Sequence, residues 1–229
     1  MELKNKIVVI TGGSKGLGRA LAISFIKEGS NVIVSSRNNG ELENTAKEIG
    51  ATAIVADVTK EVEVRNLVEE VVKKFSRIDI WVNNAGVRIP SVSIKEIDMN
   101  RFHEMMEINL FRVFFGSKHA LIQMEKQKSG LIVTILSTAA LKGRENSSAY
   151  CASKSAAHGF VKVLKIEAEK NNIKVMSIFP GGMQTNFFDE DKPQDYLDLM
   201  DPKSVADKVI ENLKKENPEE ELIIKRPGK

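Results

Sequence analysis

Short apolar runs alternate with amphipathic stretches from one end of the chain to the other, and that rhythm leaves few folds open. The strand-like runs are Ile7 to Ile10, Asn31 to Ser35, Thr52 to Ala56, Ile78 to Val82, Leu131 to Leu136, Lys174 to Phe179 and Glu221 to Lys225. Helical patterns separate them: Leu17 to Glu28, Glu41 to Ile49, Glu61 to Phe75, a long one from Met99 to Gln127, Ser148 to Lys170 and Ser204 to Lys215. Strands that alternate with helices in this way form a parallel sheet, because each parallel crossover returns through a helix packed on a sheet face. The expected fold class is α/β, a doubly wound parallel sheet of about seven strands with helices on both faces. The 229 residues suit one such domain, 1–229, and neither a repeat nor a low-complexity tract divides them.

Composition narrows the partners. No apolar run approaches the ~18–20 residues that span a bilayer, so no membrane partner is expected. Met1 to Lys6 leads straight into the first strand-like run without a signal-peptide pattern. The single cysteine, Cys151, excludes an internal disulfide and a cysteine-based zinc site and fits a reducing compartment, the cytoplasm. The net charge of +3 comes from interspersed acids and bases, without the basic block that a nucleic acid would require. His103, His119 and His158 stand in separate helical patterns with no metal-ligand spacing, so no metal is expected and the three read as surface or packing residues.

Two stretches carry chemistry. Thr11-Gly-Gly-Ser-Lys-Gly-Leu-Gly18 follows the first strand and opens the first helix. Glycines at Gly12, Gly16 and Gly18 let the backbone approach a pyrophosphate, which a helix N-terminus then stabilises. About 20 residues further on, where an NAD-binding chain would place an acid for the ribose hydroxyls, stands Ser35-Ser36-Arg37. Arg37, with Lys15 in the glycine turn, offers charge-assisted hydrogen bonds to a 2′-phosphate, so the sequence points to NADP(H). Asp57 closes the third strand, either beside an adenine ring or as a helix cap. Asn83-Asn84-Ala85-Gly86 follows the fourth strand and can tie neighbouring loops together beside a ligand, while Trp81 reads as core. Asn109 interrupts an apolar helix face and needs hydrogen-bond partners there, whether it serves packing or a site.

The second stretch runs from Ser137 to Lys154. Ser137 stands at the carboxyl end of the fifth strand, where open α/β sheets place ligands. Tyr150 and Lys154 are four positions apart, which stacks them on one helix face. A lysine ammonium at roughly 4–5 Å favours a phenolate by ~3–4 kcal/mol at an effective dielectric of about 20, enough to bring the phenol within reach of acid/base work near neutrality. Beyond the sixth strand, Pro180-Gly-Gly-Met-Gln-Thr185 leads into residues 184–201, expected as a substrate lid, whose acidic part from Asp189 to Asp201 reads as a mobile lid or a loop with a helical piece.

T-G-x-x-x-G-x-G, D-V-T, N-N-A-G, the helix Asn, the Ser, Y-x-x-x-K and P-G-x-x-x-T occur in order from Lys6 to Thr185. In this the chain closely resembles the short-chain dehydrogenase/reductase family, whose fold is a single Rossmann-type domain. The resemblance implies that Ser137 binds the substrate carbonyl oxygen, that Tyr150 donates its proton, and that Lys154 lowers the tyrosine pKa and holds the nicotinamide ribose. It implies that Asn109 anchors a water relay to Lys154. Gly12, Ser14, Gly16, Leu17 and Gly18 would then cradle the pyrophosphate, with Asp57 and Val58 near adenine. Asn83, Ala85 and Gly86 would follow the ribose, and Pro180, Gly181 and Thr185 the nicotinamide. Gly182, extra to the family's usual run, reads as a looser lid hinge. The implied activity is NADPH-dependent reduction of a small-molecule carbonyl, a ketone or aldehyde and possibly a 3-oxoacyl compound, or the reverse alcohol oxidation. The assembly would be a homodimer through the helices bearing Asn109 and Tyr150, or a homotetramer. The alternative is a non-catalytic NADP-binding, redox-sensing regulator.

Overall fold

The computed structural model describes residues 1–226; residues 227–229, the last three of the expected domain, lie outside the described residues. The seven strands are β1 (Ile7–Thr11), β2 (Asn31–Ser36), β3 (Thr52–Val55), β4 (Ile80–Asn83), β5 (Gly130–Ile135), β6 (Ile173–Pro180) and β7 (Glu221–Ile224), every boundary within two residues of its expected place. They form one parallel sheet in the order β3-β2-β1-β4-β5-β6-β7. The strand order reverses between β1 and β4, which opens a crevice at their carboxyl ends.

The pleat explains how both faces are covered. In β1, Val8 and Ile10 join one apolar cluster with Leu21, Leu42 and Val205, while Ile7 and Val9 join the other with Val64, Val113 and Val161. Helices α1 (Gly16–Lys27), α2 (Asn39–Ile49) and α7 (Pro202–Lys214) therefore cover the first face. Helices α3 (Glu61–Phe75), α5 (Arg112–Gln127) and α6 (Ser148–Glu169) cover the second. Trp81 is fully buried in this second cluster, as a core residue should be.

Caps move some boundaries. Helix α2 starts two residues earlier than its apolar pattern suggests, because Asn38 accepts the Glu41 N–H at 3.2 Å. Asp201 caps α7 through Lys203 N at 2.9 Å, with Pro202 in its first turn.

Two expectations need correction. The long helix from Met99 to Gln127 is not regular throughout: α4 (Met99–Met106) passes through a π-helical turn, Glu107–Phe111, into α5. The turn is centred on Asn109, whose buried amide pulls the helix toward the loop after β4. Gly182 is not a loose hinge either. A β-carbon there would stand 2.9 Å from Leu199 Cδ2, and Met200 N donates to Gly182 O at 3.1 Å while Gln184 N donates to Met200 O at 2.9 Å. The root of the lid is zipped to its far end.

Candidate active site

The glycine turn leaves space only where a ligand backbone would need it. Gly12 and Gly16 have φ of +65° and +55°, and a β-carbon on Gly18 would fall 2.2 Å from Gly12 O. The first turn of α1 contains no acid, and Lys15 at its N-cap gives no side-chain cap, so the helix N–H groups there remain available to an anion. Asn84 fixes the turn from β4, donating from Nδ2 to Thr11 O at 2.9 Å and to Gly12 O at 3.1 Å. Ala85 lies so close that a β-carbon on Gly12 would approach its Cα to 2.7 Å. This cradle fits the pyrophosphate of a dinucleotide. Leu17 is buried in the core, so it would contribute through its backbone. Asn83 is buried as well, and its side chain bonds Trp81 Nε1 at 2.8 Å and Ser117 Oγ at 2.9 Å, which leaves only its backbone for a ribose.

At the outer end of the crevice Arg37 is exposed and acts on Asp57. Burial works to raise the Asp57 carboxyl, but two hydrogen bonds from Thr59 and the charges of Lys60 and Arg37 hold it below the usual carboxylate range. The α3 N-cap is Lys60, so Asp57 forms a turn with Thr59 and is not itself the cap. Val58 packs against the second-face core. Sequence reasoning passed over Glu41. Its carboxylate accepts from Ser14 Oγ at 3.1 Å and stands 3.9 Å from Lys15 Nζ, engaging two groups expected to serve the cofactor.

The inner end holds Ser137, Asn109, Tyr150 and Lys154. Ser137 follows β5 and accepts the Ala139 N–H at 3.1 Å. Lys154 is buried, donates to Ile135 O at 3.2 Å, and places Nζ 5.9 Å from the centre of the Tyr150 ring. Asn109 is fully buried and satisfied: Oδ1 accepts from Val87 N at 3.1 Å, and Nδ2 donates to Val87 O at 2.9 Å and Ser153 Oγ at 3.1 Å. It thereby ties the loop after β4 to the helix of Tyr150.

The electrostatics depart from the simple picture of a lysine drawing the phenol down. Burial raises the Tyr150 phenol above its ordinary value, opposed in part by Ser137 and by the charges of Arg112 and Arg88. Burial first, and then Arg112, lowers Lys154 to about 7. The two cations acting on the phenol are Arg112 and Arg88. Arg112 was missed by sequence reasoning. The signal available was its spacing, three residues after Asn109 and four before the buried Gly116, on an otherwise apolar face.

Pro180 ends β6, Gly181 follows it and donates its N–H to Ile224 O at 2.9 Å, and Thr185 reaches the glycine turn, 3.4 Å from where a Gly16 β-carbon would stand. From there the expected lid segment lies over Tyr150. Phe187 meets the Tyr150 ring edge-on at 5.8 Å, Arg88 pairs with Asp191 at 2.9 Å, and Arg101 pairs with Glu190 at 2.6 Å. A crevice of about 10 Å³ beside Tyr150, room for one water at most, is lined by Ile89, Pro90, Val92, Ile97, Asn146 and Ser148. Among the described residues no group of histidines, cysteines and acids could hold a metal, and no helix is long and apolar enough to cross a membrane.

The sheet order and the glycine cradle at its reversal define a Rossmann-type α/β protein. The pattern of the short chain dehydrogenases matches residues 6–195, and the chain belongs to that family of oxidoreductases. An uncharacterized oxidoreductase of Staphylococcus saprophyticus is 34% identical over 217 residues, covering 92% of each chain. The crystal structure of an alcohol dehydrogenase from the archaeon Thermococcus sibiricus, complexed with 5-hydroxy-NADP, is 27% identical with a TM-score of 0.89, covering 99% of this chain and 98% of that one. A short-chain dehydrogenase from Streptomyces avermitilis is 26% identical with a TM-score of 0.86, covering 98% of this chain and 89% of its own.

Proposed function

We propose that this oxidoreductase is a cytoplasmic, NADPH-dependent carbonyl reductase that reduces a ketone or aldehyde to the alcohol, or runs the reverse, with Tyr150 as the acid/base. The observation that carries the reading is the meeting of Ser137 and Tyr150 at the carboxyl end of β5, beside the strand-order reversal, with Lys154 buried one turn beyond the tyrosine. The bound nicotinamide would supply or accept the hydride. Ser137 would hold the carbonyl oxygen, and Tyr150, kept protonated by burial, would deliver its proton to that oxygen as charge develops. Lys154 would donate to the ribose and restore the phenol's proton.

The preference for NADPH is supported by the lack of an acid at the end of β2 and by Arg37 and Lys15 beside the adenosine end. Binding of the 2′-phosphate requires Lys15 and Ser14 to release Glu41. That a structural relative is bound to an NADP derivative agrees with this reading. The lid, residues 184–201, would open and close by exchange of the Arg88–Asp191 and Arg101–Glu190 pairs. A panel of ketones, aldehydes and 3-oxoacyl compounds, each with NADPH and with NADH and read at the nicotinamide absorbance, tests the reading. At least one carbonyl should consume NADPH. Tight NADPH binding with no turnover across the panel would instead favour a regulator that senses the cofactor.

A further inference from the structure

The lid segment places a carboxylate of its own in a clamp on the loop after β4. Asp191 Oδ2 accepts from Arg88 Nη2 at 2.9 Å and from the Ser91 N–H at 3.0 Å, and the same Arg88 nitrogen donates to Ser91 Oγ at 2.6 Å. Arg88 Nη1 also donates to Asp191 O at 3.4 Å. The guanidinium lies over the Phe188 ring at 5.1 Å, and its side chain is only 13% exposed. A planar cation enclosed in this way beside a free-standing backbone N–H favours a carboxylate over a neutral group. The Ser91 N–H and Arg88 hold the Asp191 carboxyl below the usual carboxylate range, so the clamp is filled by an anion at neutral pH. The neighbouring acids go elsewhere, Glu190 to Arg101 at 2.6 Å and Asp189 to Asn186 Nδ2 at 2.9 Å.

The clamp adjoins the tyrosine. Arg88 and Tyr150 line the same crevice of about 10 Å³, together with Ser148, whose enclosed Oγ has no hydrogen-bond partner among the described residues. Phe187 lies against the Tyr150 ring, Phe188 stands 5.9 Å from Phe187, and Asp191 N donates to Phe188 O at 3.2 Å. Phe187, Phe188 and Asp191 thus belong to one short turn, and the crevice it leaves is too small for any carbonyl compound. A substrate reaches Tyr150 only when that turn moves, and moving it draws Asp191 away from Arg88.

We propose that Arg88 and the Ser91 N–H are the carboxylate-binding part of the substrate site, that Asp191 fills it until substrate arrives, and that the substrate is an oxo acid. The inference rests on the carbonyl-reductase reading. A ligand displaces the turn only by what it gains over the closed state. A neutral ketone would leave the half-buried guanidinium without the charge-assisted bonds it makes to Asp191. An oxo acid restores those bonds with its own carboxylate, and the Ser148 hydroxyl offers one more donor. The site therefore selects the acid over its neutral counterpart. In the reaction the carbonyl carbon gains a hydride from the reduced nicotinamide and its oxygen gains the proton of Tyr150, while the carboxylate passes through unchanged.

The test compares pyruvate, acetoacetate and levulinate, each beside its methyl ester, as substrates with NADPH and as ligands of the 15N-labelled protein, where nuclear magnetic resonance follows the Ser91 amide. At least one acid should exceed its ester in kcat/KM by ~10-fold or more, the scale of one charge-assisted hydrogen bond, and should shift the Ser91 amide where the ester does not. In Arg88→Gln that ratio should fall by ~10-fold. In Asp191→Asn the KM of acid and ester should fall together, because the competing carboxylate is gone, with the ratio kept. A ratio of one or less for every pair in the parent, or an undiminished ratio in Arg88→Gln, would overturn the proposal. Should no carbonyl be turned over at all, the reductase reading fails and the amide titration decides this inference alone. Acids that shift Ser91 where esters do not would uphold the carboxylate site, and acids that leave it unmoved would overturn it.

Discussion

At the scale of single residues, charges at the two ends of the crevice decide what it holds. At the outer end Arg37 and Lys15 would, on the proposed reading, favour a 2′-phosphate, while Glu41 engages Ser14 and Lys15. Arg37→Asp should weaken NADPH binding by ~10–100-fold and leave NADH binding little changed, the scale of one charge-assisted hydrogen bond. Glu41→Gln should tighten NADPH binding by ~2–5-fold, as expected for an exposed pair. Calorimetric titration with both cofactors checks the two together; an unchanged NADPH/NADH ratio in Arg37→Asp would contradict the assignment. At the inner end the lysine is the group that titrates near neutrality. Its folded-state pKa lies below that of a free lysine, at about 7, so the protonated form that can donate to a ribose prevails below that pH and is lost above it. With NADPH as the varied ligand, kcat/KM reports the free enzyme and should fall as pH rises through about 7. A flat profile from pH 6 to 9 would show that this proton has no part in binding or turnover.

At the scale of elements, Asn109 shows how a side chain can shape a helix. Its amide makes three hydrogen bonds, two to Val87 in the loop after β4 and one to Ser153 on α6, and the helix accommodates them with a π turn. Asn109→Ala would strand the half-buried Val87 amide and carbonyl, at a cost of ~1–3 kcal/mol. Urea unfolding should show that loss in the midpoint, and an unshifted midpoint would mean that the loop is held elsewhere. The element rhythm was legible in the sequence because buried parallel strands read as apolar runs and each is bounded by turn residues. Asn109 was legible as an anomaly on an apolar face. The π turn was not, because a helix and a one-residue bulge in it share nearly the same periodicity. Arg112 escaped for a related reason: a lone arginine in a helix reads as solvated, and only the fold shows it pointing inward. The glycine turn announced itself through spacing, whereas the partnership of Ser14 and Lys15 with Glu41 depends on how α2 docks on the first face. Gly182 was misread because a glycine in a loop suggests freedom, and here it makes room for Leu199.

At the scale of the whole molecule, one face remains apolar. Phe111, Phe114 and Ile122 on or beside α5, and Val163 and Ile166 on α6, are 43–64% exposed, and Phe114 packs on Phe160 at 5.0 Å. Such a patch on two adjacent helices suits a second copy of the chain. Light scattering should give a dimer or tetramer mass for the parent and a lower mass for Phe114→Glu; a monomeric parent would exclude this face as a self-contact. The proposed reaction would likewise draw on the whole fold, because the end of β5 and the lid segment meet α6 at Tyr150, and Thr185 links the lid segment to the glycine turn. The most direct test of the account is kcat for carbonyl reduction by Tyr150→Phe, measured beside the NADPH dissociation constant. The predicted result is a ~10²–10⁴-fold loss of kcat with NADPH binding within a few-fold of the parent. A kcat close to the parent's would show that the proton comes from another group and that Tyr150 is not the acid.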